Sequence, residues 1–358
     1  MSMDSTVLIV AGGTGGHIAP GIALAEELIK QEKKLVFLSL ERNRQYPDLI
    51  RPSFPVEFYK APSLSGIKNK LIFPFMLVSS MFRVRGIIKK FGITSMICMG
   101  GYSTVPAALY ASLFRVSLFL CEQNAMPGKA TVLFGRFADQ IYLNFPDRSG
   151  KLKKFSEKSV IAGNPLRTSI LNQAKRGKKE TKNLSVLVLG GSQGAVQLNE
   201  MSAAAIPQTK GVNWTIQCGD NNIEAMQKTL AEHGIQDAEL FGFHSDIHRF
   251  YRNADVLICR AGAGVLSEGC LFGLPMILIP YPYAADDHQK KNALYLEEKG
   301  AAFVISTKEN NPDELINYLK RLQTNSKLRE SMGKASLASS KKEASETIVK
   351  SILERIQA

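Results

Sequence analysis

The segment VLIVAGGTGGHIAPGIAL, beginning at Val7, is echoed 179 residues later by VLVLGGSQGAVQLNEM, beginning at Val186. Each copy is an apolar β-rich run, two glycines, a hydroxyl residue, one further residue, a glycine, and then apolar positions at helical spacing. A chain that opens the same strand, glycine turn and helix twice at this separation builds two similar α/β domains, and 358 residues is the length of two ordinary domains. Short apolar runs at residues 35–40, 95–99 and 117–120, and later WTIQCG, DVLIC and MILIPY, alternate with helical segments. That alternation predicts parallel sheets covered on both faces, so the expected architecture is two doubly wound, Rossmann-like parallel-sheet domains facing a cleft. The expected boundaries are 1–162 and 163–341, with a hinge near residues 162–165, a solvated basic run at 175–182, and a C-terminal amphipathic helix within 342–358 that packs back on the first domain.

Several classes drop out. The five cysteines form no C-x-x-C pair and lie in mostly apolar runs, which fits a reducing compartment rather than a disulfide framework. The start, MSMDSTVLIVAGG, lacks a basic segment and runs directly into the first strand, so no signal peptide is expected. The longest apolar stretch, residues 71–78, contains Pro74 and is far short of the roughly 18 to 20 residues of a spanning helix. The net charge of +13 calls for an anionic partner: nucleic acid, an anionic membrane or a phosphorylated substrate.

The glycine loops carry the chemistry. Gly12-Gly13-Thr14-Gly15-Gly16-His17 stands where a strand ends and a helix begins, and backbone N–H groups there favour an anion. It is not a P-loop, because no Lys follows the glycines. It departs from the dinucleotide fingerprint, because Ile18 stands where the third glycine belongs and Glu41 is the first acid near the end of the second strand. An NAD-binding oxidoreductase is therefore the alternative reading. Residues 190–194 form the second loop. Further on, Arg260-Ala-Gly-Ala-Gly-Val-Leu-Ser267-Glu268 starts a helix whose N-terminus suits a diphosphate and whose Glu268 suits ribose hydroxyls, and residues 280–292 supply a polar loop at the next strand end. No Asp-x-Asp pair is present and the histidines lack metal-ligand spacing, so neither metal nor other cofactor is expected.

Taken in order, GGTGGH-x-x-P-G, MGGYS, EQN, GNPLR, GGSQGA, RAGA-x-x-x-SE and HQ-x-x-NA span almost the whole chain. Their order and spacing resemble the MurG-type UDP-N-acetylglucosamine:lipid I N-acetylglucosaminyltransferases of glycosyltransferase family 28. The resemblance implies the glycosyltransferase B (GT-B) fold, with the nucleotide sugar held mainly by the C-terminal domain and an undecaprenyl-diphosphate-linked muramyl-peptide acceptor by the N-terminal one. By position, it implies that Thr14, Gly15 and Gly16 border sugar and acceptor and that Asn124 contacts the N-acetylglucosamine. Arg167 and Ser192 would meet the diphosphate or nucleotide. Ala263, Gly264, Val265, Leu266, Ser267 and Glu268 would lie beside phosphates and ribose, Gln289 on sugar or ribose hydroxyls, and the main chain near Phe243 and His244 on uracil. Gly264 and Val265 depart from the bulkier apolar residue and the hydroxyl residue of some relatives.

The implied reaction is inverting transfer of N-acetylglucosamine from UDP-N-acetylglucosamine to the muramyl 4-hydroxyl. His17 is the expected base, since an imidazole suits proton transfer near neutrality, and Glu122 is its competitor. The charge also has a location. Residues 58–121 contain no Asp or Glu but eight Lys and Arg, interleaved with LIFPFMLVSSMF. A basic rim around apolar residues predicts peripheral docking on an anionic membrane, at the cytoplasmic face of the inner membrane. No nucleic-acid-binding motif is recognisable, so nucleic acid is not an expected partner.

Overall fold

The computed structural model describes residues 5–50, 52–61, 67–174, 183–190, 195–235, 238–242, 244, 246–305 and 312–357. The chain divides into two units, Met1–Thr168 with Lys341–Ala358, and Ser169–Ser340. The division falls after GNPLR, so Arg167 belongs to the first unit and not, as expected from sequence, to the second.

The first unit carries seven strands: β1 (Thr6–Val10), β2 (Leu35–Leu40), β3 (Val56–Tyr59), β4 (Ile93–Cys98), β5 (Ser117–Glu122), β6 (Gln140–Leu143) and β7 (Ser159–Ile161). They form one parallel sheet in the order β3-β2-β1-β4-β5-β6-β7. The second unit carries β8 (Leu184–Leu189), β9 (Val212–Gln217), β10 (Glu239–Phe241), β11 (Val256–Cys259), β12 (Met276–Leu278) and β13 (Ala302–Val304), parallel in the order β10-β9-β8-β11-β12-β13. In both sheets the strand order reverses beside the first strand, between β1 and β4 and between β8 and β11. Doubly wound sheets bind ligands outside the carboxyl ends of the strands at such a switch point. Both sequence-selected glycine loops follow those first strands.

The alternation of β1 explains why the run is apolar throughout. Leu8 and Val10 enter one core with Val84 and Ile87 of the helix Ile67–Phe91 and Ala107 and Ala108 of the helix Val105–Phe114. Val7 and Ile9 enter the opposite core with Ile18, Ile22 and Leu28 of the helix Gly15–Lys30. That second core is completed from the far end of the chain. The helix Ala344–Gln357 inserts Ile348, Val349 and Ile352, each at most 1% exposed, and Tyr142 donates its hydroxyl proton to Ser351 Oγ at 2.9 Å. Burying one such isoleucine is worth about 1.5–3 kcal/mol.

The helix Ile67–Phe91 is buried on one side only. Val84 and Ile87 face the core, while Ile72, Phe75, Val78 and Phe82 are 46%, 79%, 53% and 64% exposed. Their spacing of three and four residues puts them on one helix face. Arg83 and Lys90 flank that face, and both reach Glu57 of β3, each at 2.7 Å. The acid-free window therefore overstates the free charge, because the carboxylate that meets two of its cations lies one residue before the window begins. The side chains of Lys68 and Lys70 lie outside the described residues. Among the described residues, no helix is long and apolar enough to cross a membrane.

Candidate active site

The loop after β1 is built around one residue in the left-handed region. Gly13 has φ +96, its N–H donates to Asn43 Oδ1 at 3.3 Å, and its carbonyl accepts from Arg42 Nη2 at 3.2 Å. Thr14 is the extended N-cap of the following helix without a side-chain cap bond, and Thr14, Gly15 and Gly16 are exposed. The first-turn N–H groups of that helix thus start at an exposed loop, where helix-dipole and N–H donors favour negative charge.

His17, half-buried, closes the loop. Its Nδ1 lies 3.5 Å from Thr14 Oγ1, and its ring rests on the MGGYS turn at the end of β4. A Cβ on Gly100 would lie 3.6 Å from the ring, and one on Gly101 would lie 3.4 Å from Cε1; both glycines have positive φ, +89 and +74. Two glycines in that conformation let the β4 turn pass directly under the imidazole. Sequence reading selected both motifs without showing that one is the seat of the other.

Glu122 ends β5 and is only 5% exposed. Its Oε2 accepts from the Gly128 N–H at 2.8 Å and the Thr131 hydroxyl at 2.7 Å, and its Oε1 accepts from the Asn124 N–H at 3.1 Å. Burial pushes its carboxyl above the ordinary value, and the hydrogen bonds from Gly128, Thr131 and Asn124 oppose that rise. A carboxylate enclosed by three donors of its own loop holds that loop in place. Glu122 thereby holds the main chain of half-buried Asn124, and His17 and Glu122 both stand as base candidates.

In the second unit the helix Ala263–Leu271 begins at Gly262, which is extended and offers no side-chain cap. Ala263 and Leu266 are buried, and Leu266 is 0% exposed, so its side chain belongs to the core and only its main chain is available. Gly264 and Val265 are half-buried, and a Cβ on Gly264 would meet nothing within 4 Å. The bulkier residue of some relatives is thus exchanged for open space. Ser267 Oγ donates to the Ala263 carbonyl at 2.9 Å, and Glu268 Oε2 accepts from the Tyr251 hydroxyl at 2.7 Å. Gln289 Oε1 accepts from the Tyr281 N–H at 2.9 Å, fixing the loop before the helix His288–Glu298. Asp286 and Asp287 ahead of that helix adopt φ +54 and +53, a conformation costly for residues with a Cβ and common at functional sites. His244 packs edge-on to Phe250, which stacks on Phe241 at 4.1 Å.

Arg167, an expected anion contact, and Arg260 of the RAGA motif both meet protein groups. Arg167 Nη1 donates to Asp48 at 3.0 Å within the first unit. Arg260, which the sequence places at the end of β11, donates to the carbonyls of Ile279 and Pro280 and to Gln197 Oε1, bracing the loop after β12. Ser192 and Phe243 lie outside the described residues, as do residues 175–182. Sequence reading missed Arg42, Asn43 and Glu57, whose partners are 26 to 33 residues away. Among the described residues, no three His, Cys, Asp or Glu side chains group to hold a metal ion.

Comparison with known proteins covers both units. The family models described as glycosyltransferase family 28 N-terminal domain and C-terminal domain match residues 7–143 and 185–348. A Leptospira interrogans protein named UDP-N-acetylglucosamine--N-acetylmuramyl-(pentapeptide) pyrophosphoryl-undecaprenol N-acetylglucosamine transferase is 38% identical over 356 residues, covering 96% of this chain and 98% of its own. A Nitrosospira multiformis protein of the same name is 35% identical, covering 88% and 90%. The crystal structure of Acinetobacter baumannii MurG superposes with a TM-score of 0.79 at 26% identity, covering 98% of this chain and 99% of that one.

Proposed function

The chain belongs to glycosyltransferase family 28, and from that premise we propose that it moves N-acetylglucosamine from UDP-N-acetylglucosamine to the 4-hydroxyl of the muramyl sugar of lipid I, giving lipid II for peptidoglycan synthesis. The observation that carries the reading is that full-length relatives bearing this activity in their names match across both units. The oxidoreductase alternative loses its remaining support, because Glu41, at the end of β2 where a dinucleotide-binding acid would take a ribose, is occupied by Arg44 at 2.5 and 3.1 Å.

In the reaction the acceptor hydroxyl oxygen forms a bond to the anomeric carbon as the bond to the diphosphate oxygen breaks, and configuration inverts. His17 takes the hydroxyl proton, and UDP leaves with the bonding pair. Thr14, Gly15, Gly16 and Asn124 line the acceptor and sugar side. The main chain of residues 263–266 with Ser267 and Glu268, Gln289 and the His244 segment hold the donor, and Ser192 is retained on sequence grounds. The uncapped N-terminus at Ala263 faces the growing charge of the diphosphate, and Arg167 is retained for the diphosphate on sequence grounds.

The acceptor is lipid-linked, and the exposed row Ile72, Phe75, Val78 and Phe82 with its flanking cations supplies a peripheral docking face for an anionic membrane. The proposed location is the cytoplasmic face of the inner membrane, with no nucleic-acid partner. A transfer assay with UDP-N-acetylglucosamine and a lipid-linked acceptor tests the activity. Loss of turnover in His17→Ala with UDP binding retained is expected, and turnover within a few fold of wild type removes His17 as base. Vesicle sedimentation of Phe75→Ser/Phe82→Ser tests the docking face, and unchanged binding refutes it. Thermal stabilisation by NAD and not by UDP-N-acetylglucosamine overturns the whole assignment.

A further inference from the structure

The turn after β2 makes a feature that no motif recorded. Residues Glu41–Asn43 form a single 3-10 turn at the end of the strand. That turn is closed on itself: Arg44 grips Glu41 through two nitrogens, at 2.5 and 3.1 Å, and the Tyr46 N–H donates to the Asn43 carbonyl at 2.9 Å. Burying no side chain, it projects two consecutive residues onto one residue of the neighbouring loop. Asn43 Oδ1 takes the Gly13 N–H and Arg42 Nη2 gives to the Gly13 carbonyl, so both hydrogen-bonding groups of Gly13 are held from outside its own loop. The same guanidinium lies 5.7 Å from the centroid of the Tyr102 ring, in the MGGYS turn that seats His17.

The back of the loop is fixed by contact. A Cβ on Gly12 would stand 3.0 Å from Leu40 Cγ and 3.2 Å from Ser103 Cβ, so Gly12 is wedged between the ends of β2 and β4. The front begins at Gly13, whose φ of +96 gives the backbone little intrinsic preference for one geometry over another. Thr14 supplies no cap. The pair of bonds to Gly13 therefore joins the MGGYS turn under the imidazole in setting where the Thr14 to Gly16 N–H groups and the His17 ring stand.

We propose that Arg42 and Asn43 are positioning residues for the transfer reaction, clamping Gly13 so that the exposed loop and His17 keep their aim at the acceptor. This rests on the assignment of the first loop to the acceptor hydroxyl. The charge of Arg42 is not the operative property, because neutral Asn43 performs the other half of the same clamp.

The test uses the full chain, UDP-N-acetylglucosamine and a lipid-linked muramyl acceptor, with kcat, donor KM and the unfolding midpoint measured for Asn43→Ala, Asn43→Asp, Arg42→Ala and Arg42→Lys. A displacement of about 1 Å in a reacting group costs on the order of 100-fold, so kcat is expected to fall roughly 10- to 100-fold in both alanine variants. Donor KM stays within about twofold and the midpoint within about 2 °C, because the turn that carries the clamp buries no side chain. Asn43→Asp keeps the acceptor oxygen and Arg42→Lys keeps a donor, and each restores kcat to within about fivefold. Asn43→Ala within twofold of wild type overturns the clamp, even if Arg42→Ala is inactive, since Arg42 then acts by touching substrate. A loss that tracks a falling midpoint and a rising donor KM also overturns it. Wild-type protein that transfers no sugar refutes the underlying functional reading instead.

Discussion

Glu57→Gln should make the protein bind anionic membranes more tightly. Glu57 projects from β3 with a side chain only 14% exposed, and it meets Arg83 and Lys90, themselves 54% and 64% exposed, at 2.7 Å each. One carboxylate thus restrains two cations two helical turns apart on one flank of the apolar row. A lipid phosphate must compete with that carboxylate for the same donors. Each Lys or Arg near an anionic surface contributes about 1 kcal/mol, so releasing between one and two equivalents strengthens partitioning by about 1–2 kcal/mol, or roughly 5- to 30-fold. The fold loses little, because ion pairs to exposed cations contribute about 0–1 kcal/mol. The measurement is co-sedimentation with vesicles containing about one-fifth anionic lipid, at two salt concentrations, with neutral vesicles and Glu330→Gln as controls. Glu330 lies in the second unit and pairs with Lys334, so its neutralisation changes net charge equally without touching the helix Ile67–Phe91. The gain should vanish on neutral vesicles and shrink with salt. Wild-type protein that binds anionic vesicles while Glu57→Gln gains less than twofold, or no more than Glu330→Gln, refutes the competition.

Other expectations follow from buried groups. Glu122→Gln replaces an acceptor that serves three donors, and is expected to destabilise the first unit by about 1–3 kcal/mol in denaturant titration. Because burial raises the Glu122 carboxyl in the fold, the unfolded chain ionises first as pH rises above 4.5, and this group's contribution to stability falls with pH until it ionises in the fold. The stability gap between wild type and Glu122→Gln should therefore narrow as pH rises from that point, and a gap that widens contradicts the assignment. Ile352→Ala empties a fully buried site under the Gly15–Lys30 helix and should cost about 2–5 kcal/mol, seen as a drop of about 5 °C or more in the unfolding midpoint. All five cysteines are buried, and burial pushes the Cys98 and Cys270 thiols up to about 12. Native protein should thus resist a thiol reagent at neutral pH that modifies all five after unfolding.

The sheets were legible because strands buried on both faces are continuous apolar runs. Residues 35–40 are β2 as read, and WTIQ lies within β9. β3, β6, β7, β10 and β13 escaped, although the equally short β12 was read within MILIPY; exposed Glu239 at the head of β10 breaks its apolar pattern. Turns around the candidate site were legible where glycine spacing marked them, as at Gly13 and Gly101. Contacts were not legible where a polar side chain reaches across the fold. Asp48 lies 119 positions from Arg167, and no local pattern announces that pair. Glu122 was read from residue type as a competing proton acceptor, and the three donors around it are a property of the loop's folded path that no local pattern announces.

The return of residues Lys341–Ala358 to the first unit sets an order of events during synthesis. When residue 168 leaves the ribosome, the core around Ile18 and Tyr142 still lacks Ile348, Val349 and Ile352. The second unit, Ser169–Ser340, is one uninterrupted stretch and is finished first. The helix Gly15–Lys30, which carries His17, therefore keeps an open apolar underside until residues 348–352 are made. A chain cut before residue 348 would present that unclosed seam to solvent.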